Sequence, residues 1–289
     1  MATRKNVRNL TSTEKQNFID AIKAVKADGI YDVYVNWHIA AMSYPTPSNT
    51  TPSYRNAAHR GPAFLPWHRY YLHRLELQLQ AKIPDVTIPY WDWTQDTAAP
   101  ASSPIWTADF MGGNGDPNDR NLVKTGSFAV GQWTIVDNNG NPAGGLRRRF
   151  GQQATTVPNQ TQVNTALSET PYDRTDWNTS SNPSHRNRLE GFLSGGGQLH
   201  NQVHRWVGGD MLTNPSPNDP VFFLHHANVD RLWAIWQANN PSQGYLPASG
   251  GPTGHNLNDS MYPWNGQATS LTATPANVLS ITALGYDYA

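Results

Sequence analysis

The 289-residue sequence contains no cysteine, which excludes disulfides, thiolate metal sites, iron–sulfur clusters and cysteine nucleophiles together. Any metal must therefore be held by nitrogen or oxygen. Charge of one sign is also lacking, because 21 Lys and Arg face 21 Asp and Glu, and nothing in that balance points to a nucleic-acid or membrane-surface partner. No apolar run reaches bilayer length, and no hydrophobic stretch follows the basic start at Arg4 and Lys5. The sequence thus carries no signal-peptide pattern; the cytoplasm is the default expectation, with export on a partner's signal as the alternative. Aromatics are plentiful at 11%, and 23 Gly and 22 Pro indicate ordered loop wrapped on an aromatic core. No composition break divides the chain, so a single domain over 1–289 is expected.

Taken in order, Thr11-Ser12-Thr13-Glu14 has the capping-box pattern, and Phe18, Ile22 and Val25 share one helical face up to Gly29. A second helix is predicted from Tyr31 to Met42, with Tyr31, Tyr34, Val35 and His38 on its buried stripe. After a proline-bounded loop carrying His59, a helix is expected from Trp67, with His68, Tyr71, Leu72, Leu75 and Leu79 facing inward. His73 falls off that stripe and reads as surface, and Glu76 reads as an exposed charge or a partner for Arg74. Val86 to Trp93 reads as a buried extended segment. Between about 95 and 185 helical periodicity fades; Gln132–Val136 before Asn139-Gly140 looks like half of a hairpin, and Arg147-Arg148-Arg149 reads as a solvated run or an anion patch. Order returns with a short helix from His185 to about Leu193, ahead of the glycine run 195–197.

The densest pattern follows. In Leu199-His200-Asn201-Gln202-Val203-His204 the two histidines stand one helical turn apart, an arrangement that lets two imidazoles reach one metal. Of the pair His225-His226, His226 shares its helical face with Val229, Asp230 and Trp233 and is the better inward ligand. Asp230 on that stripe is expected to orient a ligand imidazole. The histidines therefore gather as His38, His59, His68 and as His200, His204, His226. Six imidazoles with no carboxylate or thiolate among them suit copper. A zinc-hydrolase helix needs a glutamate after its first histidine, where this chain has Asn201, and an iron triad needs a carboxylate ligand that the spacing does not offer.

The stretches Phe64-Leu65-Pro66-Trp67-His68-Arg69, Leu199–Gly209 and Asn218–Arg231 resemble the bacterial tyrosinases of the type-3 copper family, and the resemblance extends to the Tyr286-Asp287-Tyr288 motif near the end. It implies a mainly α fold with long loops and a little β, in which a four-helix bundle carries a dinuclear copper site and no C-terminal lid domain follows. It assigns His38, His59 and His68 to one copper and His200, His204 and His226 to the other, with dioxygen as co-substrate; the place of His59 rests on this likeness. The implied reaction ortho-hydroxylates monophenols and oxidises o-diphenols to o-quinones, with Glu190 and Asn201 polarising a water that takes the phenol proton. Phe222 is expected to form the wall under the substrate ring, Arg205 the rim, and Asn214 in the 210–215 loop to set substrate choice. A polar Asn214 leaves an o-aminophenol or catechol oxidase as the alternative, and a haemocyanin-like oxygen carrier is less favoured. Expected partners are a small phenolic substrate, a copper-delivery helper protein of the kind some bacterial relatives use, and a second copy in a homodimer. Where fungal, plant and molluscan relatives have a cysteine bonded to the second histidine of the first site, this chain has Ala57 two residues before His59.

Overall fold

The computed structural model describes residues 1–47, 49–51, 54–193 and 198–289, so the glycine run 195–197 lies outside the described residues. Its helices are α1 (Ser12–Ala27), α2 (Ile30–Ser43), α3 (Phe64–Lys82), α4 (Gln160–Ser168), α5 (His185–Glu190), α6 (Leu199–Val207) and α7 (Val221–Asn239). Helix α3 packs on α7 and α1, α1 on α2, and α6 on α5 and α7, a mainly helical bundle with α2, α3, α6 and α7 around the histidines. Thr11 and Glu14 close the α1 capping box as expected, and Gly29 ends the turn with φ of 74°. The α2 stripe buries Tyr31, Tyr34, Val35, His38 and Ala41. Helix α3 begins at Phe64 rather than Trp67, because Pro66 falls in the first turn, where no backbone N–H needs a partner.

Strand pairing is slight. Strand β1 (Ala2–Arg4) lies parallel to β4 (Tyr286–Tyr288), and β2 (Gly115–Asp116) antiparallel to β3 (Leu122–Val123). The β1–β4 pair carries a buried ionic cluster. Arg4 reaches Glu76 at 3.0 Å and Asp230 at 3.3 Å, Arg69 reaches Asp230 at 2.5 Å, and the hydroxyls of Tyr286 and Tyr288 each donate to Asp230 at 2.6 Å. Burial alone would push the Asp230 carboxyl up, but Arg69, Arg4 and the two hydroxyls hold it below the usual carboxylate range. Both ends of the described chain are thereby tied to α7 one turn after His226.

Several expectations are corrected here. Glu76 is buried against Arg4, not exposed and not paired with Arg74. His73 is half-buried. Helix α4 interrupts the segment expected to lack helices; its sequence QTQVNTALS buries only Val163 and Ala166, too little apolar stripe to register in the pattern. Arg148 is neither solvated nor part of an anion patch: it is fully buried, with Nε and Nη2 both 2.7 Å from the Asp219 carboxylate. This pair ties the central loops to the residue just before Pro220 and α7. The hairpin expectation holds in small form, with Ile135 and Ala143–Gly144 exchanging backbone hydrogen bonds.

Candidate metal centre

Two histidine groups face each other in the bundle. His38 on α2, His68 on α3 and His59 in the loop between them form one; His200 and His204 on α6 and His225 and His226 on α7 form the other, with ligand-capable atoms inside each group within 4.8 Å of one another. The groups meet where the His68 and His226 rings stack at 4.2 Å. His59 reaches its group because Asn56 Oδ1 accepts from the backbone N–H of Ala58 and of His59, closing the turn. Asn56 was not singled out from the sequence, although an Asn just before a turn is a signal for this bond.

Hydrogen bonding fixes which imidazole nitrogen is free. Nδ1–H of His38 donates to the Asn214 carbonyl at 2.6 Å, of His68 to Phe64 at 2.8 Å, and of His204 to Met211 at 2.7 Å; His200 Nδ1–H is shared between the Glu190 carbonyl at 3.2 Å and Asn201 Oδ1 at 3.0 Å. A carbonyl can only accept, so in each ring the lone pair sits on Nε2. The Nε2 atoms of His38, His68 and His200 are buried without a protein partner, and those of His204 and His226 lie 3.4 Å apart. Buried acceptors rarely go unsatisfied, so the orphaned Nε2 lone pairs of His38, His68 and His200 fit a bound cation. Burial also holds these imidazoles neutral, His38 down to about 3 and His204 to about 4. This donor set fits soft-to-intermediate metal ions at two positions.

His225 lies within the second group, yet its chemistry separates it. Its Nδ1 accepts from the indole N–H of Trp93 at 3.1 Å, and an indole nitrogen can only donate. The His225 proton is therefore on Nε2, leaving no lone pair there for a metal. Its ring stacks on His200 at 5.1 Å and supports that ligand candidate from behind. Asp230 does not orient an imidazole as expected: its oxygens are engaged by Arg4, Arg69, Tyr286 and Tyr288, and backbone carbonyls do the orienting instead.

A cavity of about 390 Å³ opens onto the histidines and is lined by Asn201, Arg205 and Asn214 among others. Arg205 lines this cavity, its guanidinium held by Gln198. Phe222 does not line the cavity; it is fully buried and stacks on His226 at 4.0 Å, so it packs behind the imidazoles. Glu190 is no surface charge. It is buried at the end of α5, accepting from the Arg60 backbone N–H at 2.6 Å and from Arg186 at 2.9 Å, and burial raises its carboxyl although Arg186 opposes the shift. Gly191 follows with φ of 106°, and a β-carbon there would sit 2.3 Å from the Gln198 carbonyl, so glycine is what lets α5 and α6 close around Asn201.

The comparisons agree with this geometry. Residues 28–239 match the family model described as the common central domain of tyrosinase. The chain is 43% identical over 288 residues to a tyrosinase of Streptomyces glaucescens, covering 98% of this chain and 97% of that one. It is 39% identical over 306 residues to the grixazone synthase of Streptomyces griseus, covering 96% of each. A polyphenol oxidase structure from Thermothelomyces thermophila covers 100% of this chain and 89% of its own, with a TM-score of 0.74 at 23% identity, a likeness of fold. With this fold, these motifs and these relatives, the chain belongs to the tyrosinase family and is a copper-binding oxidoreductase of the type-3 polyphenol oxidase class.

Proposed function

We propose that the protein binds two copper ions, one at His38, His59 and His68 and one at His200, His204 and His226, and uses dioxygen both to hydroxylate monophenols and to oxidise o-diphenols to o-quinones. The observation that carries this reading is the set of buried, partnerless Nε2 atoms of His38, His68 and His200, whose tautomers are fixed by backbone carbonyls, beside the His204 and His226 Nε2 atoms 3.4 Å apart. Copper bound there would activate dioxygen and relay to it the electrons that the o-diphenol gives up on oxidation to the quinone. The chain's own residues do the rest. The Nδ1 bonds keep the rings of His38, His68, His200 and His204 aimed before any metal arrives.

A phenol with a pKa near ~10 is almost entirely protonated at neutral pH, so hydroxylation needs a proton acceptor more than catechol oxidation does. Asn201 lies on the cavity wall one residue after His200, and Glu190 lies behind it, its backbone carbonyl bonded to the same His200. Together they hold a water at the mouth of the site, where it accepts the phenolic proton. Each Glu190 oxygen already accepts one hydrogen bond and retains a lone pair for that water.

The test is oxygen uptake by copper-loaded protein given a para-substituted monophenol, the matching catechol and an o-aminophenol. Turnover of the monophenol, after a lag removed by a trace of catechol, supports the reading. Turnover of catechol or aminophenol alone refutes the hydroxylase part.

A further inference from the structure

Glu190 is the last residue of α5, and what holds its carboxylate begins outside that helix. Asp173, Arg186 and Glu190 are all fully buried. All five N–H groups of the Arg186 guanidinium are engaged. Nε and Nη2 donate to the two Asp173 oxygens at 2.8 and 3.0 Å, Nη2 donates also to the Asn178 carbonyl at 2.8 Å, and Nη1 donates to Asn187 Oδ1 at 3.0 Å and to Glu190 Oε2 at 2.9 Å. A planar fork with every donor engaged is held in one orientation. Asp173 also sets where α5 starts: the Ser184 hydroxyl donates to Asp173 Oδ1 at 2.8 Å and, as N-cap, accepts from the Asn187 N–H at 3.3 Å.

The other Glu190 oxygen is held from a different element. Oε1 accepts the Arg60 backbone N–H at 2.6 Å, and Arg60 has a left-handed backbone, with φ of 64°, a conformation uncommon for a residue other than glycine. The carboxylate is thereby fixed at both oxygens, between α5 and the loop that carries His59. Stability alone does not call for this arrangement. Asp173 by itself completes a two-point pair with Arg186, and drawing a second buried carboxylate onto the same cation adds a desolvation cost that the attraction offsets only in part. What the arrangement confers is direction.

Resting on the reading that Glu190 and Asn201 hold the water that takes the phenolic proton, we propose that Arg186, clamped in turn by Asp173, is a positioning residue for monophenol hydroxylation. Arg186 fixes Oε2 so that the remaining lone pairs of the Glu190 carboxylate meet that water in one geometry. Asp173 acts one step further out, by fixing the guanidinium and the first turn of α5.

The experiment compares R186K, D173N, E190Q and the double variant R186K/E190Q. A lysine keeps the charge but presents three donors on a flexible stem and cannot reproduce the fork. D173N leaves the guanidinium in place and tests the same chain if R186K does not fold. In copper-loaded protein the ratio of kcat on a para-substituted monophenol to kcat on the matching catechol is expected to fall by roughly 10- to 100-fold in R186K and by less in D173N, with KM for the monophenol near the parent value. In the double variant the ratio is no lower than in E190Q, because Arg186 acts only through Glu190. Equal losses on the two substrates, or losses that multiply in the double variant, overturn the proposal. Crystal structures of the copper-free parent, R186K and D173N read the positioning without turnover: a displaced or doubled Glu190 carboxylate in the variants supports the proposal, and an unmoved one overturns it. If the parent hydroxylates no monophenol, or E190Q leaves the ratio unchanged, the proton-accepting reading fails, and these structures alone decide whether Arg186 positions Glu190.

Discussion

The backbone carbonyl of Asn214 accepts the Nδ1–H of His38 at 2.6 Å, so the loop that lines the cavity also fixes the tautomer of an imidazole in the first group. Three residues earlier Met211 does the same for His204 in the second group. Loop and imidazoles are one unit: its main chain bonds the rings, and Met211, Leu212, Thr213 and Asn214 line the cavity.

That division predicts the outcome of Asn214→Ala. The carbonyl survives the substitution, so copper content measured by atomic absorption stays at the parent level, while relative kcat/KM across phenols, catechols and o-aminophenols shifts several-fold. Lost copper with unchanged substrate preference would assign the Asn214 side chain to the metal site instead.

Asn201→Ala is expected to slow monophenol hydroxylation by about 10- to 100-fold more than catechol oxidation, because only the first reaction must remove a tightly held phenolic proton. Glu190→Gln acts in the same direction. Steady-state oxygen uptake on matched phenol and catechol pairs decides this, and equal loss on both would remove the proton-accepting role.

Asp230→Asn leaves Arg4 and Arg69 buried with one fewer anion. Removing one partner of a buried ionic cluster costs about 3–5 kcal/mol, whereas Tyr286→Phe deletes a single hydrogen bond to that carboxylate and costs about 1.5–3 kcal/mol. Urea unfolding of the three proteins should rank them accordingly.

Burial raises the Asp210 carboxyl to about 6, although the Arg147 N–H opposes the shift. A folded-state value above the unfolded one means the native state holds the proton more tightly. Its contribution is therefore fully present below the unfolded value of 3.8 and is lost as pH rises to about 6, a decline of roughly 3 kcal/mol at most. Asp210→Asn should flatten that part of the stability profile relative to the parent; matching slopes from pH 4 to 6 would show that the group does not titrate there.

Local pattern carried much of this into view. The α2 stripe, the His200 and His204 pair and the capping box of α1 each depend on spacings within about one or two turns, which a sequence displays directly. What stayed hidden is long-range. Arg4 finds Glu76 across 72 residues, Arg148 finds Asp219 across 71, and the Trp93 indole that fixes the His225 proton comes from 132 residues away. Asp230 misled for the same reason: its position on the stripe is local, but the partners that claim it arrive from α3 and from both ends of the described chain.

The number of coppers bound per chain, in the parent protein and in His225→Gln and His226→Gln, tests the two-group site most directly. About two per chain are expected in the parent and with His225→Gln, and about one with His226→Gln. A parent that binds only one, or a His225→Gln protein that loses copper as His226→Gln does, would contradict the assignment of ligands by tautomer.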